Sequence, residues 1–172
     1  MKAANIEIKA RVRSLTTMLT IAESISDQPV QVMHQEDTFF NTTNGRLKLR
    51  EIALGSAQLI YYERTDINGP KRSDYHVIET DSPENLKTLL TLALGVRGVV
   101  KKTRYLYHLG QTRIHLDDVE GLGHFVELEV VLCAGQSDEK GQAIAEDLMD
   151  KLGIIKDDLI EHAYMDLIDR RI

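Results

Sequence analysis

Polar and apolar residues alternate with period two through most of this chain, and that alternation excludes most folds. Successive side chains of a β-strand point to opposite faces, so residues i and i+2 share one face. In 5–13, Asn5, Glu7, Lys9, Arg11 and Arg13 fall on one face, with Ile6, Ile8, Ala10 and Val12 on the other. The same pattern marks strands over roughly 5–13, 30–40, 46–53, 57–65, 74–80, 97–108, 111–119 and 124–132. Thr43-Asn44-Gly45 and Glu120-Gly121-Leu122-Gly123 read as hairpin turns. Strands joined mostly by turns favour an antiparallel sheet over βαβ units. About eight strands suffice to close a barrel, and closure leaves no free edge.

Helical spacing interrupts the series twice, and two more helices end the chain. Ser14 caps a helix over 14–26, and Ser82 with Pro83 opens one over 83–94 that stops at Gly95. Ser137 and Gly153 bound a helix over 137–152, and a last one is expected over 156–170. Asp66–Ser73 reads as a turn-rich loop. The expected fold is mainly β (α+β), a closed or nearly closed eight-stranded antiparallel barrel with flanking helices. At 172 residues, one domain spanning 1–172 is expected.

The polar faces carry an unusual load. Arg46, Lys48 and Arg50 stack on one face of 46–53, while Lys102 and Arg104 align in 97–108. Arg113, His115 and Asp117 align in 111–119, and Glu127 and Glu129 align in 124–132. Like charges on facing positions repel, and an anion between them reverses the sign. The opposite faces are apolar, and helices are available to cover them. A barrel with a charged lumen follows. Arg offers bidentate geometry to phosphate oxygens and Lys a point charge. Carboxylates in that same space suit Mg²⁺ or Mn²⁺, which bind through one or two carboxylates plus substrate phosphates.

Here the chain resembles a known family. Asn5-Ile6-Glu7-Ile8-Lys9 resembles the N-terminal Glu-x-Glu-x-Lys signature of the CYTH superfamily, the triphosphate tunnel metalloenzymes. The resemblance continues through Gln35-Glu36-Asp37-Thr38-Phe39-Phe40, 45–51, Lys102-Thr103-Arg104, 113–117, 120–129 and 164–168. It is strongest to the class IV, CyaB-type adenylate cyclases. It implies a tunnel for ATP or another triphosphate and a divalent ion, Mg²⁺ or Mn²⁺. Glu7, Asp117, Glu127 and Glu129 match the family's metal-binding positions. Lys9, Arg50, Arg64, Lys102 and Arg104 match its phosphate-binding positions. Arg46, Lys48 and Arg113 join them by strand alternation, and Arg11 extends the first strand's set. Asn5 departs from the signature by bringing a carbonyl oxygen without charge.

The expected reaction is conversion of ATP to cyclic AMP and pyrophosphate; no general base is identifiable. Hydrolysis of tripolyphosphate, thiamine triphosphate or a nucleoside triphosphate is the alternative, and non-catalytic polyphosphate or nucleotide binding a further one. The net charge of −6 argues against a nucleic-acid or membrane coat. It hides a gradient: residues 1–114 hold 16 Lys/Arg and 12 Asp/Glu, and residues 115–172 hold 5 and 15. No apolar run approaches the roughly 20 residues of a membrane helix, and no signal-like segment opens the chain. The lone Cys133 needs no oxidising compartment. A cytoplasmic location is therefore expected, and a homodimer stands as an open expectation. The scattered histidines show no zinc spacing. His115 shares its strand face with Arg113 and Asp117, which leaves it equally placed for the tunnel or for structure.

Overall fold

Eight strands hydrogen-bond in a ring, and every pairing is antiparallel. The computed structural model describes residues 2–53 and 55–170. The strands are β1 (Lys2–Arg11), β2 (Gln31–Phe40), β3 (Arg46–Ile52), β4 (Ser56–Arg64), β5 (Lys71–Thr80), β6 (Val96–Leu109), β7 (Thr112–Val119) and β8 (Gly123–Val131). Around the barrel the order is β1-β5-β4-β3-β2-β6-β7-β8, with β8 closing on β1. The β2–β3 and β7–β8 hairpins form where the turn signals stand. Gly45 adopts φ 60 at the first of these turns, a region open to glycine at no steric cost. The chain turns into β5 earlier than its loop composition suggests. Lys71 already pairs with Glu7, because Asp66–Pro70 completes the turn.

Three longer helices cover the barrel: α1 (Leu15–Ile25), α2 (Pro83–Leu94) and α3 (Asp138–Leu152). Ser14 accepts the Thr17 amide and Ser137 the Lys140 amide, so both N-caps act as expected. The α3 helix lies close on β1. A Cβ on Gly141 would sit 2.6 Å from Ile6 and 2.7 Å from Leu132.

Three apolar clusters result, and two lie outside the barrel wall. The largest packs Ile6, Ile8, Ala10, Ile114, Leu116, Leu128 and Val130 against Ala22 of α1 and Ala145, Leu148 and Leu152 of α3. The second puts Leu86 and Leu90 of α2 over Phe40, Leu49 and Ala57. This burial turns the apolar strand faces outward and leaves the polar faces inward. The third cluster lies inside one end of the barrel and joins Phe39, Val100, Val119, Leu122, Phe125, Tyr164 and Met165.

The expected helix over 156–170 does not form as one element. Lys156–Asp158 makes a single 3₁₀ turn, and only Tyr164–Asp169 is helical (α4). Between them the chain is extended against the barrel. Leu159 bridges Ala10, and the Ile160 amide donates to the Lys9 carbonyl at 2.8 Å. Lys71 donates to the Ile160 and Glu161 carbonyls, which satisfies them outside a helix.

A cationic cavity as the candidate active site

The inward faces enclose a cavity of about 340 Å³. Seven cations line it: Lys9, Lys48, Arg50, Arg64, Lys102, Arg104 and Arg113. Four carboxylates face them: Glu7, Asp37, Glu127 and Glu129. The formal surplus is three positive charges.

At the inner end Tyr164 is buried with its ring centroid 4.9 Å from that of Phe125. Its hydroxyl donates to Asp117 at 2.8 Å, and the Lys9 ammonium lies 3.8 Å from its ring centre. Side-chain exposure falls from 33% at Arg113 to 5% at Arg104 and 1% at Lys102. Arg113 is thus the most exposed of these three cations, and Tyr164 is buried beside Lys9 and Lys102.

Carboxylates hold the cations. Asp37 accepts from Lys48 at 2.9 Å, from Arg50 at 2.7 and 2.8 Å, and from Lys102 at 2.8 Å. Burial pushes the Asp37 carboxyl up, but Arg50, Lys102 and Lys48 outweigh it and hold it well below the usual range. Burial pushes Lys102 down to about 7 and Lys48 down to about 8, with neighbouring guanidinium groups adding to both.

A second knot centres on Arg104. It donates to both oxygens of Asp117 at 2.7 and 2.6 Å and to Glu127 at 3.0 Å. Burial opposes ionisation of Asp117, yet Arg104 pulls its pKa down to about 2. Lys9 donates to the other oxygen of Glu127 at 2.9 Å. Burial disfavours the Glu127 charge too, but Lys9, His115 and Arg104 together outweigh it and hold the carboxyl well below its usual value.

Strand register places the remaining carboxylates. Glu7 stands opposite Glu129 across the β1–β8 pair, and His115 opposite Glu127 across β7–β8. Arg64 bonds Glu7, whose carboxyl burial nevertheless raises above its usual value. Arg113 donates to Glu129 at 2.9 Å. His115, Glu127 and Glu129 bring their ligand atoms within 4.8 Å of one another. Burial, reinforced by Arg104, lowers the His115 pKa. Asp66, His162 and Asp166 form a second such trio outside the cavity.

The lining thus brings together Glu7, Lys9, Lys48, Arg50, Arg64, Lys102, Arg104, Arg113, Glu127 and Glu129 of the expected set. Three expected residues stand elsewhere. Arg11 is exposed, one step past Lys9, with its guanidinium 5.2 Å from the Phe125 ring centre. Arg46 pairs with Asp66 at 2.7 Å and with Asp166 of α4 at 2.9 Å, which ties α4 to the barrel. Asp117 faces inward, but Arg104 and Tyr164 occupy its oxygens. Asp37 was given no role from sequence, although its parity with Gln35 and Phe39 puts it on the inner face. Asn5 also lines the cavity, and its Oδ1 is buried without a partner.

A wider outer groove of about 780 Å³ runs past Glu36, Glu51, Glu84, Asp118 and Glu120. Its acidic rim repels phosphate, so the smaller cavity is the candidate site.

Comparison with known proteins agrees with this geometry. The family profile described as the CYTH domain matches residues 3–164. A Methanocaldococcus jannaschii protein named "putative adenylate cyclase" is 23% identical over 172 residues, covering 94% of this chain and 97% of its own. The PH1012 protein of Pyrococcus horikoshii superposes with a TM-score of 0.85 at 28% identity, over 95% of this chain and 98% of that one. A Hippeastrum adenylyl cyclase-like protein, described as having a dominant triphosphatase activity, superposes with a TM-score of 0.67 at 17% identity. That match covers 97% of this chain and 95% of that one. Profile match, barrel order and inward-facing charge converge, and the chain belongs to the CYTH domain family.

Proposed function

We propose that this protein is a divalent-metal-dependent enzyme that binds a triphosphate in the barrel cavity and converts ATP to cyclic AMP and pyrophosphate. The observation that carries the reading is the cavity with seven cations against four carboxylates. A triphosphate bears several negative charges along a short chain, and cations spread through the depth of the cavity suit it. Arg50, Arg64 and Arg104 offer planar forks to phosphate oxygens, and Lys48 and Lys102 offer point charges. Their role is to hold the chain and stabilise charge on the departing pyrophosphate. Lys9 and Arg104 keep Glu127 ionised, so Glu127 and Glu129 suit a divalent ion. When bound, Mg²⁺ or Mn²⁺ supplies Lewis-acid polarisation of phosphate oxygens. The class IV cyclase resemblance and the name of the Methanocaldococcus relative support ATP as substrate.

Hydrolysis of a triphosphate is the second reading. The observation in its favour is that the charged lining suits phosphate and metal whatever group the phosphate chain carries. The Hippeastrum protein carries such an activity on the same barrel.

The test is product analysis. The protein is incubated with Mg²⁺ or Mn²⁺ and, separately, with ATP, tripolyphosphate and thiamine triphosphate. Cyclic AMP with pyrophosphate supports the cyclase. Orthophosphate without cyclic nucleotide replaces it with the hydrolase. Tight binding without turnover removes both reactions and leaves a binding protein.

A further inference from the structure

His115 has no hydrogen-bond partner for its Nδ1, although that atom is buried. The residue is 4% exposed. An unpartnered buried nitrogen is destabilising, and native structures keep few of them. This one faces two carboxylates. It lies 3.8 Å from Glu127 Oε2 and 3.9 Å from Glu129 Oε1. Both distances are too long for a hydrogen bond. They fall between the spacings of adjacent and of opposite ligands on a shared ion. With bonds of about 2.1 Å, two ligand atoms sit about 3 Å apart when adjacent and about 4.2 Å apart when opposite.

Glu127 Oε2 also accepts from Arg104 at 3.0 Å, so an ion there would share or displace that contact, whereas Glu129 keeps one oxygen free of it. Arg113 donates to Oε2 of Glu129, so Oε1 is the oxygen turned to His115. The cross-strand register of His115 with Glu127 fixes the ring on the inner face.

We infer that His115 is a nitrogen ligand of the divalent ion held by Glu127 and Glu129, and that it tilts this site toward a first-row transition ion over Mg²⁺. The inference rests on the metal-dependent reading above and adds a ligand and a metal class to it. Mg²⁺ demands oxygen donors and gives up its water reluctantly. An imidazole donor suits Mn²⁺ and later ions of its row better than Mg²⁺.

The experiment uses the full chain with Mn²⁺ alone, in pulsed electron paramagnetic resonance, with histidine at natural abundance and labelled with ¹⁵N. A histidine nitrogen coupled to Mn²⁺, changing with the label, is expected. The Asp66–His162–Asp166 trio is the competing site, so the coupling must persist in His162→Gln. Calorimetry then gives the ratio of Mn²⁺ to Mg²⁺ affinity, which His115→Gln should lower by about tenfold. Mn²⁺ bound through oxygen alone, a coupling lost in His162→Gln, or an unchanged ratio in a folded His115→Gln overturns the ligand role. Each of these leaves the metal-dependent reading standing. No Mn²⁺ binding at all overturns both. If His115→Gln does not fold, the spectra of the parent chain and His162→Gln decide.

Discussion

Replacing Asp37 with Asn should strip three buried cations of their shared counter-charge. Asp37 accepts four hydrogen bonds, from Lys48, Arg50 and Lys102. Its side chain is 2% exposed and that of Lys102 1%. Removing one member of a buried ion cluster costs about 3–5 kcal/mol, because the charges left behind stay out of water. The two lysines limit that loss. Burial already pushes Lys102 down to about 7 and Lys48 down to about 8, so both can shed a proton once Asp37 is gone. Arg50 cannot. The loss should therefore lie near about 3 kcal/mol at neutral pH. For a chain of this size that lowers the melting temperature by about 10 °C. Urea unfolding followed by circular dichroism measures it, with an unchanged slope showing that only stability moved. Adding Lys102→Met to Asp37→Asn should recover part of the loss, since it removes a cation left unpaired. An Asp37→Asn protein as stable as its parent would refute the claim that this carboxylate holds the cavity's cations together.

Three further outcomes are expected. Glu129→Gln should abolish metal-dependent turnover while leaving the circular dichroism spectrum intact; full turnover would remove Glu129 from the metal site. Lys102 and Lys48 carry charge below their depressed pKa values and lose it above them. Triphosphate binding that restores those charges takes up protons, so tripolyphosphate affinity should fall as pH rises past about 7; calorimetry in buffers of different ionisation enthalpy should detect the uptake, and a flat profile would count against these lysines as ligands. Tyr164→Phe removes a hydrogen bond to a charged carboxylate, so it should cost about 1.5–3 kcal/mol in urea unfolding; no loss would mean that packing alone seats α4.

Strand alternation made the barrel and its inverted polarity legible, because period two is a local property that survives without knowledge of partners. Depth along the barrel is not local. Arg11, Arg46 and Lys48 obey the same alternation, yet only Lys48 lines the cavity, since Phe125 and Tyr164 divide the interior. Asp117 likewise faces inward and is consumed by Arg104. The segment after Lys156 shows the opposite limit. Its apolar spacing allows a helix, but Ala10, Lys9 and Lys71 supply backbone partners that only the closed barrel presents. Asp37 was visible by parity, but its value lies in three cations from β3 and β6, distant in sequence.

Tyr164 stands at the buried end of the cationic lining, away from the exposed Arg113. A phosphate chain that entered past Arg113 and met that ring would have to come out by the way it went in. Whatever part went deepest would be the first to arrive and the last to leave.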